Sequence, residues 1–144
     1  MSIEHKVKQV EKLFDRLENE ITSLQSQTNL HCRTGCGKCC STPEIVASPL
    51  EFLPWAFHLF LNSKAEEMLV ELNHKSDSNC HLYRPLSVLE RNNGSCSNYR
   101  YRGLICRLFG YAASKDKYGK LRLATCKIIK EEQQQNYKDT EEAI

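Results

Sequence analysis

The sequence predicts a mainly α fold with a small, irregular lobe that carries a β-hairpin and is tied together through cysteines, a small α+β class. Three observations predict it. Ile3, Val7, Val10, Phe14, Leu17, Ile21 and Leu24 alternate spacings of 4 and 3, the period of an apolar stripe on a helix. Four cysteines, Cys32, Cys36, Cys39 and Cys40, fall within nine residues, and Cys80, Cys96, Cys106 and Cys126 follow. Beyond Lys75 short apolar pieces alternate with turns and no helical period persists.

The first stripe defines an amphipathic helix of about three heptads within residues 1–30. Its seam has two readings: a short coiled coil that pairs with a second copy or a partner helix, or a face packed on its own domain. Leu13 widens the stripe beyond a strict seam, which favours packing within the chain. Ser48-Pro49-Leu50-Glu51 reads as a capping box with proline at the first helical position. The helix it opens carries Leu50, Leu53, Phe57, Phe60 and Leu61 on one face, with Phe52, Trp55 and Leu59 elsewhere, so it is expected at the centre of the core. Pro54 lacks the amide that would bond to Leu50, so a kink or a later start is expected. Ser63-Lys64-Ala65-Glu66 reads as a second capping box, with Ala65, Met68, Leu69 and Leu72 as a buried face. Asn92-Asn93-Gly94 and residues 115–120 are turn signals, and segments 110–114 and 121–126 read as two arms of a hairpin. Residues 131–144 have almost nothing to bury and read as a frayed helix or disordered tail. The organisation expected is therefore a helix over 1–30, a cysteine-rich domain over 31–130 and a polar tail over 131–144.

At 144 residues the chain is long enough to bury roughly 68% of its unfolded surface, so it does not need disulfides merely to fold. Lys and Arg number 20 against 18 Asp and Glu, which argues for neither a nucleic acid nor an acidic partner. No apolar run reaches the length of a membrane span. Residues 1–16 are charged and amphipathic without an apolar signal region, so a cytoplasmic chain is expected, in a compartment that keeps thiols reduced. Eight cysteines in such a setting point to metal or redox chemistry.

Thiolates are soft ligands suited to zinc, iron or an iron–sulfur cluster. All eight cysteines are candidate metal ligands, enough for one or two four-sulfur sites. Cys36-Gly37-Lys38-Cys39 has the spacing of a zinc knuckle, whereas Cys32-x3-Cys36-x2-Cys39 is closer to an iron–sulfur spacing. Consecutive side chains diverge in extended backbone, so Cys39 and Cys40 are not expected to chelate one ion side by side. If ligands come from both halves, the metal closes a loop of about forty residues and folding depends on it.

The pattern Cys32-x3-Cys36-x2-Cys39-Cys40, then Cys80, then Cys96-Ser97-Asn98-Tyr99-Arg100-Tyr101-Arg102-Gly103-Leu104-Ile105-Cys106-Arg107, resembles the YkgJ-like cysteine-cluster family of zinc- or iron-chelating domains. In that family a C-x-x-x-C-x-x-C-C start is followed by a C-x-I-Y-x-x-R-P-x-x-C-R block and one further cysteine. Cys96, Tyr99, Arg102, Cys106 and Arg107 fall on the second block in register, with Cys80 before it and Cys126 after it. Gly103 replaces the family's proline, and Asn98 its aliphatic residue. The resemblance implies a bacterial, cytoplasmic, metal-chelating domain whose metal is zinc or iron. A related block occurs in larger flagellin lysine methylases, whose activity does not carry over to a chain that matches only the cysteine part.

Other readings compete. A dithiol redox centre at Cys36 and Cys39 would need a preceding strand, which the sequence does not predict. The cluster motif of radical S-adenosylmethionine enzymes needs a barrel that this chain cannot build. Lys115, Lys117, Lys120 and Arg122 form a basic patch that would be the contact surface of a nucleic-acid module, or simply a solvated hairpin tip. His31 and His81 stand beside cysteines but are read as surface or capping residues. His58 is read as a core or helix-surface histidine, and Tyr99 as a packed aromatic. Arg102 and Arg107 flank Cys106 and could offset the charge of a thiolate site. There is no phosphate-cradling glycine loop, no Ser-His-Asp set and no carboxylate pair beside the cysteines, so no catalytic residue is assigned.

Overall fold

The computed structural model describes residues 1–43, 45–87 and 93–144. The chain is mainly helical, with two small antiparallel two-stranded sheets. It divides into two compact units: residues 1–14 with 35–104, and residues 15–34 with 105–144.

Helix α1 (Ile3–Thr28) is a single 26-residue helix. Val7, Phe14 and Ile21 on its seam are buried within the chain, while Leu13 is 45% exposed. The seam therefore packs intramolecularly, but on the narrow stripe; Leu13 does not widen it.

In the first unit, Ser48 N–H donates to Glu51 Oε1 at 2.7 Å and Leu50 N–H donates to Ser48 Oγ at 3.3 Å, completing the expected capping box. It opens a 3-10 turn, Pro49–Phe52, and α2 (Leu53–Leu61) follows with Pro54 in its first turn. Proline is tolerated there because the first amides have no acceptor inside the helix. Trp55, Leu59 and Leu82 form the core of this unit, with Phe52, Ala65, Met68, Cys96 and Tyr101 packed around them. The buried face is thus the one expected to lie elsewhere: Leu50, Phe60 and Leu61 are all more than half exposed. Periodicity located the helix, but an all-round apolar sequence has no preferred side, and the position of Leu82 decided it. The second capping box does not form. Ser63 has φ 57°, Lys64 holds the N-cap position without a side-chain bond, and Leu69 and Leu72 of α3 (Ala65–His74) are exposed. Strands β1 (Tyr83–Pro85) and β2 (Gly94–Cys96) pair with Tyr83 opposite Cys96. Of the turn expected at 92–94, Asn92 lies outside the described residues. Asn93 forms an isolated bridge to Cys36.

The second unit takes α4 (Leu104–Leu108) from Ile105 onward and then the expected hairpin of β3 (Ala112–Lys115) and β4 (Leu121–Ala124). Leu123, Leu30 and Ile129 of α5 (Lys127–Glu132) form the core, joined by Cys126 and Tyr137. The terminal segment is not a frayed or disordered tail. It forms α6 (Gln134–Ala143), which buries Thr140 and lays Tyr137 on that core. Tyr137 is joined by polar bonds from the same helix: Glu141 accepts from Leu123 N–H and Arg122, and Asn136 donates to Asn29 C=O.

Candidate metal centre

All eight cysteines are described residues and each stands as a thiol outside any disulfide. The first unit holds Cys36, Cys39, Cys40, Cys80 and Cys96; the second holds Cys32, Cys106 and Cys126.

The five thiols of the first unit come from three stretches of chain that backbone bonds draw together. Residues 37–42 form a tight turn in which Ser41 N–H donates to Gly37 C=O at 3.1 Å and Thr42 Oγ1 to Lys38 C=O at 2.7 Å. Cys39 and Cys40 therefore lie on a helical turn and not on extended backbone, and the divergence expected of consecutive extended side chains does not apply. Cys80 N–H donates to Cys40 C=O at 2.8 Å, and Gly94 N–H to Gly35 C=O at 2.8 Å. Tyr83 N–H donates to Cys80 C=O at 3.1 Å, and its strand partner is Cys96.

At the middle of these stretches is Tyr83, only 6% exposed. A Cβ on Gly37 would stand 2.1 Å from the Tyr83 hydroxyl oxygen, and one on Gly94 would stand 2.5 Å from its ring. Burial raises the Tyr83 hydroxyl above its ordinary pKa, and the nearby Cys40 and Cys36 thiols add to that. Sequence reasoning missed this residue. Its signal was faint: two glycines, one in the first cysteine motif and one before Cys96, with a tyrosine just after Cys80.

Cys96 packs on the Trp55 core, and burial pushes its thiol up. Cys80 acts in the same direction, while the Asn98 amide, Arg102 and Arg84 oppose it. Arg102 stands over the Tyr99 ring at 3.8 Å and also acts on the Cys96 thiol. Tyr99 itself is 64% exposed, not packed. Gly103, at the family's proline position, sits in close packing. Its φ is outside the left-handed region, and a Cβ there would stand 3.0 Å from both the Phe52 ring and the Glu51 carboxylate, so a larger residue would have to displace those side chains.

The histidines find other roles. His81 Nε2 lies 3.2 Å from Glu71 Oε2 without forming a hydrogen bond. His58 stacks on Tyr101 with ring centres 4.9 Å apart. The His31 backbone exchanges two hydrogen bonds with the Gln133 side chain. His81 and Tyr83 also line an open cleft of about 590 Å³ shared with His74, Lys75 and Arg84.

In the second unit, Cys32 N–H donates to the Tyr111 hydroxyl at 3.1 Å. The Cys126 sulfur caps α5, accepting from Ile129 N–H at 3.4 Å. Cys106 is exposed on α4, and its neighbour Arg107 is buried and paired with Glu18 at 2.8 Å. On the hairpin, Arg122 is engaged by Asp116 and Glu141, so the basic patch is partly neutralised.

The family described as "CxxCxxCC: Putative zinc- or iron-chelating domain" matches residues 31–141. The chain belongs to this family. No curated relative and no solved structure matches it. The family's name spells two residues between its first cysteines where this chain has three, Arg33-Thr34-Gly35. The division between the two units falls inside that spacing, after Thr34.

The donor set fits the family's metals: five soft thiols in one unit, none consumed by a disulfide. Among the described residues, no group of three His, Cys, Asp or Glu side chains is already close enough to hold an ion. Bound there, zinc would supply a tetrahedral cross-link, and iron or a cluster would supply redox chemistry as well. The chain's own part is to present the sulfurs from the 37–42 turn, Cys80 and β2. No helix among the described residues is long and apolar enough to cross a membrane.

Proposed function

We propose that this chain chelates zinc or iron through thiolates, with Cys36, Cys39, Cys40, Cys80 and Cys96 supplying the principal centre. Cys32, Cys106 and Cys126 complete the eight-cysteine set and serve a second site. The observation that carries this reading is that cysteine-bearing stretches 40 or more residues apart in sequence are joined by direct backbone bonds, Cys80 to Cys40 and, beside Cys36 and Cys96, Gly94 to Gly35. Chain stretches this far apart are brought together at an entropic cost that a shared metal would offset. The exposed thiols Cys32, Cys80 and Cys106 suit a reducing, cytoplasmic setting.

Five thiols are enough for a single four-sulfur zinc or iron ion and equally for an iron–sulfur cluster. Anaerobic purification followed by elemental analysis and an absorption spectrum of one sample tests the reading. Stoichiometric zinc in a colourless protein supports a structural centre. Iron with acid-labile sulfide in a brown protein supports a cluster, and with it an accessory role in electron or methyl transfer. Neither metal, with all eight thiols titratable, overturns the proposal.

A further inference from the structure

We propose that Tyr83 is the positioning residue of the thiol centre, its ring slotted between Gly37 and Gly94 and its hydroxyl turned to the cysteine turn. The role rests on the metal-chelating reading above, and its test separates the two.

The geometry is specific. The contact with Gly37 is made by the hydroxyl end of the ring: a Cβ would stand 2.1 Å from the oxygen and 2.3 Å from the carbons beside it. Gly37 is the residue immediately after Cys36 and its C=O anchors the turn that carries Cys39 and Cys40. The position of the phenol thus sets how near that turn approaches β1. On the backbone side, Tyr83 holds Cys80 through its N–H at 3.1 Å and faces Cys96 across the strand pair. One residue therefore meets each of the three stretches that carry the five thiols, through its ring at Gly37 and Gly94 and through its backbone N–H at Cys80. The hydroxyl also sits in the electrostatic range of the Cys36 and Cys40 sulfurs. A neutral O–H donor there can hydrogen-bond a thiolate without adding charge, as outer groups around metal ligands commonly do. A phenylalanine would fill the same slot but could not donate.

Zinc and cobalt(II) serve as probes on the full chain, with affinity read by chelator competition. Y83F keeps the ring, so the metal-free variant should match wild type in helicity and unfolding midpoint. It should bind zinc about tenfold more weakly, the low end of losses seen for outer-shell partners. Its cobalt(II) derivative should show a shifted sulfur-to-metal charge-transfer band. Y83L should lose about 100-fold. G37A should weaken binding in the wild-type background but add nothing to Y83L, because the ring that its methyl would strike is gone. Wild-type affinity and spectrum in Y83F, or additive losses for G37A and Y83L, would overturn the role. A wild-type chain that takes up neither metal overturns the proposed function instead. In that case the metal-free protein decides Tyr83 by itself: Y83L should make Cys36 and Cys40 react faster with a thiol reagent, and unchanged rates overturn the positioning role.

Discussion

Arg107 Nη1 donates to Glu18 Oε2 at 2.8 Å, joining the residue after Cys106 to the middle of α1. Only 7% of the arginine side chain is exposed, against 45% of the glutamate. A buried guanidinium is costly unless its charge is met. Arg107 therefore spends charge on α1, while Arg102, the other arginine flanking Cys106, lowers the Cys96 thiol.

The asymmetry of that pair sets the first prediction. Breaking a fully buried pair costs about 3–5 kcal/mol, but water replaces part of the loss at a half-exposed glutamate. Glu18→Gln should lower stability by about 1–2 kcal/mol in urea unfolding. Arg107→Met, which removes the buried charge itself, should cost less. A Glu18→Gln variant as stable as wild type would contradict this.

The second prediction concerns the terminal helix. Ile129 is 2% exposed and shares its cluster with Leu30, Leu123 and Tyr137 of α6. Ile129→Ala should cost about 2–5 kcal/mol. Tyr137→Ala should lower the unfolding midpoint in the same direction and raise amide exchange across residues 134–143. If α6 were a passive tail, exchange there would already be fast in wild type and the variant would change nothing.

Acid sensitivity should centre on the hairpin. Asp116 accepts the amides of Tyr118 at 2.9 Å and Lys120 at 3.0 Å, with Arg122 alongside, and these hold its carboxyl below its usual value. For Glu141, burial alone would raise the carboxyl, but the Leu123 amide and Arg122 outweigh it and the result is lowered. In each case the folded form binds its proton less readily than the unfolded one. Their contribution is therefore complete above the ordinary carboxylate range, about pH 4, and is lost as pH falls through the lowered values. Unfolding midpoints measured from pH 6 down to pH 3 should fall. Combining Asp116→Asn with Glu141→Gln should flatten the fall, and an equally steep fall in that double variant would place the effect elsewhere.

Metal removal should destabilise the chain. A ligand at 100 times its dissociation constant stabilises the folded state by about 2.7 kcal/mol. Stripping the purified protein with a strong chelator should lower its melting temperature, and zinc or iron should restore it. Cys96→Ser should weaken the recovery, whereas Cys126→Ser, whose sulfur caps α5, should cost stability with or without metal.

Much of this protein was legible in one dimension. Heptad spacing located α1, Ser48 and Glu51 located the start of the second helical segment, and the alternation about Leu123 located the hairpin. Each is a local signal, because a cap, a stripe or a two-residue period is satisfied by neighbours in the chain. The family's cysteine pattern was equally plain, since the residues that carry it are named by spacing alone.

Choices between equivalent local options were not legible. On α2 nothing in the sequence preferred Trp55 and Leu59 over Phe60 and Leu61 until Leu82, more than twenty positions on, supplied the partner surface. The role of Gly37 was invisible for the same reason: its constraint comes from Tyr83, 46 residues away. The sequence by itself determined which elements form and which thiols are available. The tertiary structure alone decided which thiols share a unit and which tyrosine stands among them, because those facts depend on contacts between segments distant in sequence, and no local period records such contacts.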